Sequence, residues 1–175
     1  MKKGVAAAAY AGDTAKLKAL GSTWFYNWSD SRSSAPGLDY VPMVWGGGSA
    51  TDTSRLAALK KGAQTGRFSA LLAFNEPDHP AQANMTPSDA LTLWPKLEAT
   101  GLRLGSPAPA NYWDGWLDKF MSGALEAGYR VDFVALHFYP DFTNPTGAAQ
   151  QLRRMIKDAW RASGTNRSGS LRSEL

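Results

Sequence analysis

Short apolar runs alternate along this chain with segments of helical spacing, and that alternation limits the fold more than any other feature. Residues 4–8, 23–28, 40–45, 68–74, 102–105 and 131–137 read as strands, the third ended by Gly46, Gly47 and Gly48. Between them lie helical patterns. Asp13 is placed to cap a helix over 13–20 that Gly21 stops; Leu56, Leu59 and Ala63 mark one over 53–64. Further helices are expected over 87–99, over 113–127 with Trp116, Leu117, Phe120 and Leu125 near one face, and over 148–162. Near-continuous apolar strands separated by helices imply a parallel sheet covered on both faces, so the class is α/β. Six such units fit either a doubly wound sheet or most of an eight-unit barrel.

A chain of 175 residues is long enough for one domain with a substantial core, and 43% hydrophobic against 19% charged residues excludes a disordered composition. The net charge of +4 comes largely from Arg153, Arg154, Lys157, Arg161, Arg167 and Arg172. Only Trp160 accompanies them, so they read as a solvated helix face and a loose tail, with neither nucleic acid nor membrane as partner. The absence of cysteine removes disulfides and a thiol nucleophile. Residues 1–11 imitate a signal peptide, but their alanine-rich apolar stretch is too weak for one and reads better as the first strand; localisation stays open. No segment approaches the about 20 apolar residues of a membrane span.

Chemistry selects the barrel. Polar and aromatic groups recur where strands end: Tyr26, Asn27 and Trp28; Trp45; Asn75 and Glu76; Ser106 and Asn111; His137 and Tyr139. Barrel active sites are assembled from such positions. Gly46, Gly47 and Gly48 lack both the spacing and the lysine of a phosphate loop. The most telling stretch is Phe74, Asn75, Glu76, Pro77 and Asp78, directly after an apolar run. Glu76 suits protonation of a leaving glycosidic oxygen, and Asn75 could bond a sugar hydroxyl; an ordinary surface turn is the competing reading. His137 is equally suited to a structural hydrogen bond and to orienting a carboxylate beside Tyr139. His79 has no companion ligands, so neither a metal nor a cofactor is expected. Aromatic faces stack on sugar rings, which favours Tyr26, Trp28, Trp45 and Trp113 as substrate-binding residues with Asn111, and leaves Trp24 in the core.

The stretches 24–28, 41–46, 72–78, 84–87, 104–108, 116–120 and 131–139, in that order, resemble the catalytic domain of glycoside hydrolase family 128, a group of β-1,3-glucanases. The resemblance covers about residues 4 to 160. It implies a (β/α)8 barrel of which about the first six units are present over 1–162, retaining hydrolysis of β-1,3-glucan, a polysaccharide partner and a monomer when complete. It also implies that Glu76 is the acid/base, with Asn75 its amide neighbour, His137 and Tyr139 near the nucleophile, and Tyr26, Trp28 and Trp45 on the binding cleft. Members often act on cell-wall polysaccharide outside the cell. The family continues with a seventh strand carrying the nucleophilic glutamate; here residues 163–175 hold no apolar run, and Glu174 has no strand around it. A frame shift near Asn166, a truncation or an incomplete gene would each give this tail. The chain alone is therefore expected to be inactive or nearly so, the alternative being a non-catalytic carbohydrate-binding protein.

Overall fold

The computed structural model describes residues 3–7, 14–31 and 37–162. Ala8, the expected cap Asp13 and the tail from residue 163 lie outside them.

All strand pairing is parallel. In one three-stranded sheet β1 (Gly4–Ala6) pairs with β2 (Trp24–Tyr26), which pairs with β3 (Asp39–Tyr40). In the other, β4 (Met43–Val44) pairs with β5 (Ala70–Asn75), and β5 with β6 (Arg103–Ala108). The expected third strand is thus two, and the cause is Pro42, which has no N–H to give a ladder. Backbone bonds nevertheless run across the break. Val41 N donates to Phe25 O on one side at 3.0 Å, and Pro42 O accepts from Leu72 N on the other at 2.9 Å.

The helices are α1 (Thr14–Ala19), α2 (Gly47–Thr51), α3 (Thr53–Gln64), α4 (Pro87–Glu98), α5 (Trp116–Glu126) and α6 (Pro145–Ala162). Local chemistry sets their ends. Asp52 caps α3 by accepting from the Ser54 and Arg55 amides; Thr86 and Asp89 form a reciprocal capping box on α4, with Pro87 in its first turn. The helix expected over 113–127 is interrupted: Tyr112–Asp114 form a single 3-10 turn, and Gly115, with φ of 79°, breaks the spiral before α5.

The expected sixth strand forms only one bridge, Gly105 to Phe133. Beyond Ser106 the neighbouring strand has little left to offer. Pro107 lacks an N–H, and Ala108 O is taken by Glu76 N at 2.9 Å across a register shift in β5 and β6. Ala135 N donates instead to Ser106 Oγ at 3.0 Å.

The core sits on β5 and the helices beside it. Leu71, Phe74, Trp94, Leu97, Leu104 and Phe120 are fully buried. Trp94 meets Phe120 edge-on at 4.9 Å between centroids, and its indole N–H donates to Arg130 O at 3.0 Å, so the ring is buried without an unpaired donor. Among the described residues no helix is long and apolar enough to cross a membrane.

Gly62 of α3 abuts the buried Phe68 ring so closely that an added Cβ would overlap it. Gly62→Ala should therefore lower stability by about 1–3 kcal/mol through overpacking, despite roughly 1 kcal/mol of gained helix propensity. The urea midpoint reports the sign.

Candidate active site

β5 delivers Asn75 and Glu76 where its ladder ends. Pro77 stops the strand, and the backbone turns through two unusual conformations, φ of 32° at Phe74 and 45° at Glu76. Left-handed conformations at residues with a Cβ cost roughly 1–3 kcal/mol each and persist where surrounding bonds impose them. Here Glu76 N donates to Ala108 O, His79 N donates to Glu76 O at 3.0 Å, and Met85 N donates to Pro77 O at 2.8 Å. Asp78 adds a tie to the next loop, its carboxylate accepting from Ala110 N at 2.7 Å and Asn111 N at 2.8 Å.

Glu76 is 8% exposed, and both of its side-chain partners meet the same carboxylate oxygen. His137 Nδ1 lies 2.9 Å from Oε1, and the Tyr139 hydroxyl donates to Oε1 as well. With the carboxylate ionised, Nδ1 carries the ring proton. Oε2 is left for another partner. The bond to Glu76, then burial, then the nearby Glu76, Tyr26 and Asp78 push the Tyr139 phenol up to about 12. Burial, and secondarily the charge of Glu76, raises Tyr26 above its ordinary value.

Around this carboxylate opens a cavity of about 510 Å³, lined by Tyr26, Trp28, Trp45, Asn75, Glu76, Gln82, Leu136, His137, Phe138 and Tyr139. Tyr26 and Trp28 meet edge-on at 5.2 Å. Tyr139 is 68% exposed although its hydroxyl donates to Glu76. Asn75 Nδ2 donates to Gln82 Oε1 at 3.1 Å, while Asn75 Oδ1 is buried without a partner among the described residues. Glu76 is the sole carboxylate among these lining residues. No group of three or more His, Cys, Asp or Glu is placed to hold a metal ion among the described residues.

Seven of the nine expected site residues thus share one cavity: Tyr26, Trp28, Trp45, Asn75, Glu76, His137 and Tyr139. The other two are elsewhere. Asn111 caps the 3-10 turn by accepting from Trp113 N at 3.1 Å. Trp113, half exposed, lines a separate groove with Tyr112, Asp118, Arg154, Asp158 and Arg161, the Arg154 guanidinium lying over one face of its ring at 5.0 Å from the centroid. That contact ties α6 to the loop before α5. Trp24 is half-buried, its ring packed directly on Gly4. Gln82 was not anticipated; it sits in a turn without periodic or motif context.

The profile of the family described as "Glycosyl hydrolase catalytic core" matches residues 4–166. Alkali-sensitive linkage protein 1 of Schizosaccharomyces pombe is 34% identical over 135 residues, 71% of this chain and 23% of that protein. Among solved structures, a subgroup I endo-β-1,3-glucanase of glycoside hydrolase family 128 from Amycolatopsis mediterranei, in complex with laminaritriose, is 46% identical with a TM-score of 0.78, covering 95% of this chain and 66% of that one. A subgroup III curdlan-specific exo-β-1,3-glucanase from Blastomyces gilchristii, in complex with glucose, is 32% identical with a TM-score of 0.71, covering 91% and 69%. The chain therefore spans about a quarter of the curated relative and about two thirds of these solved chains.

The phenol of Tyr139 should ionise at higher pH than an ordinary tyrosine. Its folded value is raised, so the stability it contributes is fully present below pH 10 and is lost as pH rises through about 12. In an alkaline absorbance titration, Tyr139→Phe should remove the last tyrosinate step; loss of a step near pH 10 would contradict the assigned bond.

Proposed function

Because the chain belongs to the glycosyl hydrolase catalytic-core family, within glycoside hydrolase family 128, we propose that it carries the acid/base half of a β-1,3-glucan hydrolase site, with Glu76 as proton donor. The observation that carries this reading is the position of Glu76, one residue past a buried parallel strand and on the floor of an aromatic cleft. As general acid, Glu76 protonates the glycosidic oxygen through Oε2, the oxygen that His137 and Tyr139 leave free. Those two donors hold Oε1 and fix the plane of the carboxylate. Tyr26, Trp28, Trp45 and the exposed Tyr139 offer stacking surfaces for glucosyl rings, and Asn75 a polar contact beside the reacting sugar.

A retaining mechanism fits the family and requires a second carboxyl group about 5–5.5 Å away as nucleophile. Since Glu76 is the sole carboxylate lining the cavity among the described residues, that group must come from outside them. The proposed architecture is an arc of a (β/α)8 barrel comprising about six βα units. Parallel strands in chain order, the continuous 39–45 segment linking both ladders, and site residues at strand ends all favour it. The 175-residue polypeptide is accordingly proposed to hold β-1,3-glucan without cleaving it. The lack of a second carboxylate among the described lining residues also favours a second reading, a carbohydrate-binding protein without catalysis.

Titration with laminaritriose, followed by tryptophan fluorescence, tests the shared core of both readings. Binding should weaken about tenfold, roughly 1.4 kcal/mol, in Trp45→Ala and persist in Glu76→Gln. Absence of binding would sink both. Release of reducing sugar from laminarin, lost in Glu76→Gln, would overturn the proposed inactivity and establish the hydrolase alone.

A further inference from the structure

We infer that Tyr40, a core residue that does not line the cleft, is a positioning residue: its hydroxyl gathers the 27–31 turn and thereby fixes Trp28 on the cleft wall. The inference rests on the glucan-binding reading above for its consequence, but the geometry stands apart from it.

Tyr40 is 3% exposed, and its ring is held by the core, tilted against Phe25 at 5.2 Å and edge-on to Phe68 at 6.0 Å between centroids. Its oxygen projects into the turn that follows β2. There it lies 2.5 Å from Asn27 Oδ1, 2.6 Å from Ser29 O and 2.6 Å from Ser31 O. A phenol has one proton, so three acceptors share a single donor. Each acceptor has another donor as well: Ser29 N for Asn27 Oδ1, Met43 N for Ser29 O, and Asn27 Nδ2 for Ser31 O. The turn closes on itself around that phenol. At its apex Trp28 adopts φ of 57°, a strained conformation for a tryptophan, and presents a ring 40% exposed to the cavity.

Removing only the hydroxyl leaves the ring in the core and takes away the one donor that the three oxygens share. Without that shared tie the turn opens and the strain at Trp28 is released, so the aromatic wall beside Tyr26 is lost although no cleft residue has changed. Tyr40→Phe should retain the far-UV circular dichroism and cooperative unfolding of the parent chain. Its affinity for laminaritriose should fall about tenfold, matching Trp28→Ala, and the Tyr40→Phe/Trp28→Ala double variant should bind no more weakly than Trp28→Ala alone. The near-UV signal that Trp28→Phe removes from the parent should already be missing in Tyr40→Phe. Where Tyr40→Phe fails to fold, Asn27→Ala, which spares the core and removes both one acceptor of the phenol and the Asn27 Nδ2 donor to Ser31 O, should lower both readouts in part. Parental affinity with the Trp28 signal intact, or losses that add in the double variant, would overturn the inference. A parent chain that does not bind laminaritriose would defeat the glucan reading instead, and the near-UV comparison would still decide whether Tyr40 sets Trp28.

Discussion

Burial of β5 between two parallel neighbours is the constraint on which the cleft depends. Leu71, Ala73 and Phe74 are buried while Ala70 and Leu72 are partly so, and its ladders to β4 and β6 fix the height at which its first polar side chains emerge. Asn75 and Glu76 emerge together at the point where Pro77 ends the strand. The strained backbone there is not an isolated defect. Bonds from Ala108, His79 and Asp78 surround it, so relaxing Glu76 would mean breaking the links to the β6 loop at the same time.

The carboxylate is fixed from its far side by a segment that is barely secondary structure at all. Residues 131–139 make one bridge and a few bonds, yet they carry both donors to Glu76. Val131, Val134 and Leu136 pack against the core and anchor what the ladder does not. Apolar packing and the Ser106 hydroxyl substitute for the missing strand bonds.

Much of this was legible in the sequence, for identifiable reasons. Glu76, His137 and Tyr139 meet because each follows an apolar run, and parallel runs put their ends on one side of a sheet. Capping residues such as Asp52 and Thr86 announce their helices locally. Features that depend on a neighbour's backbone were not legible. Residues 131–137 have the composition of a strand, but pairing stops where Pro107 and Ala108 turn toward β5. Trp113 has the side chain of a sugar platform, and only the tertiary fold shows Arg154 lying on it. Gln82 reaches the cleft because a turn folds back on Asn75, a path that no periodicity records.

Pro42 joins two ladders without belonging fully to either, and this makes strand register a shared property of both sheets. Side chains alternate faces along a strand, so a slip of one residue exchanges them. Were β3 to slip against β2, the slip would pass through Pro42 to Met43 and Val44, reach their partners Leu72 and Ala73, and turn Trp45 away from the cavity. Two residues of β3 therefore act as the index mark against which the other sheet, and the depth of its carboxylate, is aligned.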